Sequence, residues 1–170
     1  MHLSVLPPLR VLVASAVIVY CASASSVTAQ DSASTQQSRV QILVNDLADR
    51  LGIPEVIHVS IVPTNARLMS VEPVEHEFEL KVEDGWPDSL DDSELTAAVA
   101  HELGHVWVFT HHPFLQTERL ANEVAMRLVS PSSLARMYDK VWKRTHVQGD
   151  LARFLGPEVA RGLASPEPAP

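Results

Sequence analysis

The chain has 170 residues, 46% of them hydrophobic, a formal net charge of -8 at pH 7 and one cysteine. That length holds one domain with a core of its own. The acidity excludes nucleic acid as a ligand and electrostatic attraction to anionic lipid, because both select basic surfaces. The lone Cys21 excludes an intrachain disulfide.

At the start, Met1 to Arg10 carries one positive charge, Val11 to Tyr20 is an apolar run, and small residues follow from Ala22 to Ala29. Charged, apolar and small segments in that order describe a secretory signal peptide over residues 1–29, with cleavage after Ala24 or Ala29. The apolar run is about half of the ~20 residues that a membrane span requires, so no stable anchor is expected after cleavage. The expected destination is the periplasm or the outside of the cell. Cleavage removes Arg10 and no acid, which makes the remaining domain more negative still.

Residues 30–37 are rich in Ser, Thr and Gln and are expected to form a disordered leader. Val40, Leu43, Val44, Leu47 and Leu51 then recur at spacings of three and four, which predicts an amphipathic helix over 38–51, stopped by Gly52 and Pro54. Val56–Val62 alternates in the β-branched manner of a strand, and Arg67–Glu72 and His76–Glu83 read as two more. In the last, Phe78, Leu80 and Val82 share one face while Glu77, Glu79, Lys81 and Glu83 share the other. Asp84-Gly85-Trp86-Pro87 breaks the pattern as a loop.

Asp91, Asp92 and Ser93 offer N-cap chemistry for a long helix over Ser93–Thr110. That helix is apolar nearly all round and so should be central and buried. A second helix is predicted over 115–129, and a third from Ser132 and Ser133 to Lys143. A short helical turn at 150–155 follows, then a disordered, Pro-rich tail over 157–170. The whole reads as one α+β domain over residues 38–156.

The central helix carries His101-Glu102-Leu103-Gly104-His105. Two histidines four apart project from one helix face and can share a metal ion. Zinc accepts neutral imidazole nitrogen, and a catalytic site combines three protein ligands with an open position for water. Glu102, one residue after the first histidine, can approach that water without ligating the metal. The ion would bring the water's pKa to about 7, and the carboxylate would take its proton.

For the third ligand, His111 stands six residues after His105. Using it needs a bend at Val108, whose β-branched side chain suits a positive-φ turn poorly. Without the bend, six residues of helix rotate through about 600° and point His111 away. Glu118 fits better, because a turn through His111-His112-Pro113 brings the chain back antiparallel and level with His105. Asn122 follows at i+4 on the same face, where its amide can orient a ligand. Glu123 is rotated about 140° from Glu118 and reads as a solvated charge.

Ala100-His-Glu-Leu-Gly-His-Val followed by Glu118-Arg-Leu-Ala-Asn-Glu-Val-Ala-Met-Arg-Leu-Val-Ser-Pro131 resembles the ImmA/IrrE-type metallopeptidases and the wider group of minigluzincins. The resemblance covers about Leu95 to Pro131 closely and the upstream half in element order. It implies a zincin-like fold: an N-terminal helix, a small three-stranded sheet, a zinc helix, a glutamate helix and C-terminal helices. It also implies one zinc ion held by His101, His105 and Glu118, with Glu102 as the general base and Asn122 behind the ligands. The chain departs from these families in a short interval between His105 and Glu118, in Asn122 where membrane-bound gluzincins usually carry Asp, and in an export signal where most ImmA/IrrE proteins are cytoplasmic.

These features together suggest a secreted zinc metallopeptidase of the gluzincin type, acting on peptides or proteins. A binding or regulatory module that holds zinc with little hydrolysis is the alternative, and a fourth ligand such as His111, His112 or His146 would mark it. An oxyanion stabiliser is expected opposite the base, with Tyr138 and His146 as candidates. Ten acidic residues and one base lie between Glu72 and Glu94. If Glu77, Glu79 and Glu83 line the strand beside the metal, basic peptides are favoured. Otherwise these residues form a solvated strand face.

Overall fold

The computed structural model describes residues 22–165. Residues 1–21, which hold most of the expected signal segment, and residues 166–170 lie outside them. The described elements are α1 (Ala22–Leu51), β1 (Ile57–Val62), β2 (Met69–Val74), β3 (Glu77–Glu83), α2 (Asp92–His111), α3 (Glu118–Ala125), α4 (Pro131–Thr145), α5 (Leu151–Leu155) and α6 (Pro157–Ala164). This is an α+β fold of six helices and one three-stranded sheet among the described residues, in the element order expected from the sequence as far as α5.

The apolar period of α1 does what its spacing dictates: Val40, Val44 and Leu47 are fully buried. The helix begins well before residue 38, however, so the disordered leader expected at 30–37 is helical. Its polar side chains have partners that a composition reading cannot see. Gln36 is buried, donates to the carboxylates of Asp84 (3.2 Å) and Asp88 (3.0 Å), and accepts from the Gly85 N–H (3.0 Å). One glutamine thus fastens the helix to the loop after β3.

The sheet runs in the order β1-β3-β2, with β1 parallel and β2 antiparallel to β3. Phe78, Leu80 and Val82 of the central strand are buried, on the face the alternation assigned to the core. The outer edge of β1 is closed by α1. Gln41 donates to Ile57 O and accepts from Val59 N–H, both at 2.9 Å, and Gln37 donates to Val59 O at 2.9 Å. These two amides stand in for a fourth strand. Among the described residues no side-chain amide closes the edge of β2, whose Val71 N–H is taken instead by the Glu102 carboxylate of α2.

Helix α2 starts with a capping box, in which the Asp91 carboxylate accepts from Glu94 N–H and the Glu94 carboxylate accepts from Asp91 N–H. Its residues Leu95, Ala97, Val99, Ala100, Leu103 and Val106 are all at most 2% exposed, so the helix is the axis of the core. Trp86 is likewise buried, a plug over that core. Glu94 pays for its own burial with an ion pair to Lys140 at 2.5 Å. Helix α4 is capped by Ser130 with Pro131 at its first position, rather than by Ser132 and Ser133. The tail expected to be disordered from 157 instead forms α6, which opens on Pro157 and packs Val159 against the core.

Because Gln41 satisfies one backbone donor and one acceptor of an otherwise open edge, Gln41→Ala should destabilise the fold by about 1–3 kcal/mol. Urea denaturation of the two proteins measures this, and a midpoint unchanged by the substitution would remove the edge-closing role.

Candidate metal centre

Helices α2 and α3 pack antiparallel across the connection 112–117, and the packing is close because of one residue. A Cβ built on Gly104 would lie 2.2 Å from the backbone oxygen of Ala121. No side chain fits there, so the glycine inside the histidine motif sets the distance between the two helices. That spacing brings the start of α3, where Thr117 caps the helix and Glu118 is its first residue, level with the histidines.

His101, His105 and Glu118 converge, with one donor atom from each lying within 4.8 Å of the others. Glu118 Oε2 is 3.2 Å from His101 Nε2 and 3.6 Å from His105 Nε2. Donors held about 2.0–2.2 Å from a tetrahedrally bound zinc ion sit about 3.3–3.6 Å apart, so the two Glu118 spacings are close to those such an ion sets. The imidazole planes are nearly perpendicular (82°), with centroids 4.7 Å apart. His101 is buried, whereas the Glu118 side chain is half exposed and opens the cluster to solvent.

Burial disfavours a charged His101, but hydrogen bonding and charge from Glu118, with the charge of Glu102, outweigh it and raise its pKa. The same two imidazoles hold the Glu118 carboxyl well below the usual carboxylate range. The cluster therefore attracts positive charge, and a divalent cation would compete with a proton for it.

Asn122 fixes which nitrogen His101 offers. The backbone oxygen of Phe154, in α5, can only accept, so the Asn122 atom 3.0 Å from it is the amide nitrogen. The second amide proton goes to the Tyr138 hydroxyl at 2.8 Å. Oδ1 is thereby turned to His101 Nδ1 at 2.9 Å, which must carry the proton. Neutral His101 then keeps its lone pair on Nε2, the nitrogen that faces Glu118. Asn122 itself is fully buried.

Glu102 is buried next to this cluster, and burial raises its pKa above that of a free carboxylate even though the histidines pull it down. Its Oε2 accepts from the Val71 N–H of β2 at 3.0 Å. A cavity of about 660 Å³ opens over Glu102 and the cluster, with Met69, Val106, Phe109, Met137 and Trp142 among its apolar walls.

Most of the remaining candidates have partners of their own. His111 stacks on the Trp107 ring (4.2 Å, 8°) and donates from Nδ1 to Trp107 O, while His112 meets the same ring edge-on. His146 is exposed at the left-handed C-cap of α4 (φ 55°). The Tyr138 hydroxyl is 3.4 Å from His101 Nδ1, on the far side of that ring from Glu118, and burial raises its pKa. Tyr138 nevertheless lines the cavity over Glu102, with its hydroxyl engaged by Asn122. Glu123 pairs with Arg119 on the outside of α3.

Glu77, Glu79 and Glu83 stand on the central strand, not on the edge strand beside the cluster. Glu77 bonds His58 at 3.0 Å and Glu79 accepts from Ser60 at 2.8 Å. Glu83 accepts from Asn65 N–H and from Arg144, and these contacts, the first above all, keep its pKa low. The premise of an acidic strand lining the site is thus not met.

Three groups at the site escaped the sequence reading. Val71 N–H and Phe154 O are backbone groups without a residue signature. Gly104 did leave a signal, since a glycine inside a helix costs about 1 kcal/mol against alanine and so asks for a packing reason.

No family model and no curated protein matches the chain. Among solved structures, the metallopeptidase zymogen of Pyrococcus abyssi abylysin is similar to it, with a TM-score of 0.49 and 16% identity over 63% of this chain and 95% of that one.

Gly104→Ala should improve helix propensity yet destabilise the protein by about 1–3 kcal/mol, because the new methyl meets backbone rather than a movable side chain. Denaturant unfolding and zinc content check this together. The variant should lose both stability and metal affinity, and a gain in stability would contradict the close approach of α2 and α3.

Proposed function

We propose that the chain is a zinc-dependent peptidase of the gluzincin kind, exported from the cell that makes it. The observation that carries this reading is the convergence of His101, His105 and Glu118 beside a buried Glu102, under a cavity next to an open sheet edge. The likeness of the Glu118–Pro131 segment to ImmA/IrrE-type and minigluzincin sequences supports the same ligand set.

Two imidazoles and one carboxylate are a donor set suited to zinc, and three protein ligands leave a coordination position for water. When bound, zinc polarises a carbonyl oxygen and makes water nucleophilic near neutral pH. Asn122 keeps His101 in the tautomer that carries its proton on Nδ1 and offers the lone pair of Nε2. Glu102 takes the proton of the attacking water and returns it to the leaving nitrogen, a role for which a carboxylate of raised pKa is well matched. Tyr138 holds Asn122 and His101 in place from behind.

The positions of His111 and His112 against Trp107, and of His146 at the end of α4, support a three-ligand site over a closed four-ligand one. They favour an enzyme over a zinc-bearing binding module. The apolar walls of the cavity favour peptides with apolar side chains near the scissile bond over basic ones. Export rests on the sequence of residues 1–29. Cleavage after Ala24 or Ala29 would shorten α1 without touching Gln36 and Val40, where its described burial begins.

The test compares wild type with Glu102→Gln on a mixed peptide library, with zinc measured in both. Both proteins should hold one equivalent of zinc, and cleavage should fall in the variant by on the order of 10²–10⁴. Equal cleavage would remove Glu102 from its role, and zinc-loaded wild type that cleaves nothing would favour the binding module.

A further inference from the structure

We propose that the backbone N–H of Val71 is a positioning group for Glu102, so that the open edge strand fixes the catalytic carboxylate; this rests on the peptidase reading above. In an antiparallel pair, alternate residues turn their N–H and C=O groups inward to the partner and outward to the edge. Glu83 N–H donates to Leu68 O at 2.8 Å, so Leu68 opposite Glu83 is an inward position of the β2–β3 ladder. Counting along the register, Ser70, Glu72 and Val74 also face inward, while Met69, Val71 and Pro73 face outward. The Val71 N–H is therefore free of the sheet, and Pro73 has no N–H to offer beside it.

The free donor is taken by Glu102 Oε2 at 3.0 Å. Among the described residues it is the one hydrogen bond that the Glu102 side chain makes. A glutamate has three rotatable side-chain bonds, and a buried one without a donor would be both mobile and poorly solvated. With Oε2 pinned to the strand, Oε1 is the oxygen left to serve the reacting side. Val71 acts through Glu102 and touches no reacting atom, so it is a positioning residue rather than a catalytic one. Helix α2 supplies the base, and strand β2 aims it.

Proline can remove the donor selectively. An outward position on an edge strand tolerates it, and Ser70 before it already has the extended backbone that a following proline requires. Val71→Ala serves as the comparison, because it trims the side chain and keeps the N–H. Val71→Pro should lose kcat by roughly 10–100-fold more than Val71→Ala, with KM within about twofold and zinc still at one equivalent. Equal kcat for the two variants overturns the proposal.

A second measurement needs neither variant nor activity. The Val71 amide should exchange slowly with solvent deuterium in wild type and at least about tenfold faster in Glu102→Ala, because the acceptor is gone. Exchange that is the same in both overturns the contact itself. If wild type cleaves no peptide, the peptidase reading fails and the amide exchange alone decides whether the strand holds Glu102.

Discussion

The buried carboxamide of Asn122 is the contact on which the centre depends. It touches His101 from α2, Tyr138 from α4 and the Phe154 carbonyl from α5, while it belongs to α3 itself. Four helices are thus tied at one side chain, and the hydrogen-bond capacity of each partner leaves a single orientation for it. The carbonyl orients the amide, the amide orients the imidazole, and the imidazole presents Nε2 to the cluster. Apolar packing alone would place His101 but would not decide its tautomer.

The two edges of the sheet divide the labour of the fold. One edge is sealed by glutamines of α1, which turns β1 into pure support. The other remains open, and its outward groups lie next to Glu102. A three-stranded sheet this small has no strand to spare, so closing an edge with helix side chains leaves β2 available to the site. The glycine at 104 completes the geometry from the other side, since α3 could not bring Glu118 level with the histidines if α2 stood further away.

Much of this was legible in the residues. The 3.6-residue period of α1, the alternation of β3 and the apolar girth of α2 gave the elements, because burial leaves a periodic trace. His101 and His105 were legible because a helix fixes their spacing, and Glu118 because a short connection forces the chain back alongside. What was not legible depended on partners distant in sequence. Gln36 reads as a polar residue in a polar stretch until Asp84, Gly85 and Asp88 surround it. The bond between the Tyr138 hydroxyl and Asn122 joins residues 16 apart and leaves no local trace in the sequence. Glu77, Glu79 and Glu83 could be imagined on the open edge, because alternation assigns a face but not a place in the strand order.

The most direct test of the centre is the tautomer of His101 and His105 in the zinc-loaded protein, read from long-range couplings between ring protons and ring nitrogens by NMR. Under the proposed zinc reading, His101 carries its proton on Nδ1, where Asn122 Oδ1 accepts it, and both histidines meet the ion through the Nε2 atoms that face Glu118. A His101 ring protonated at Nε2, or one whose nitrogens do not respond to zinc, would contradict the account.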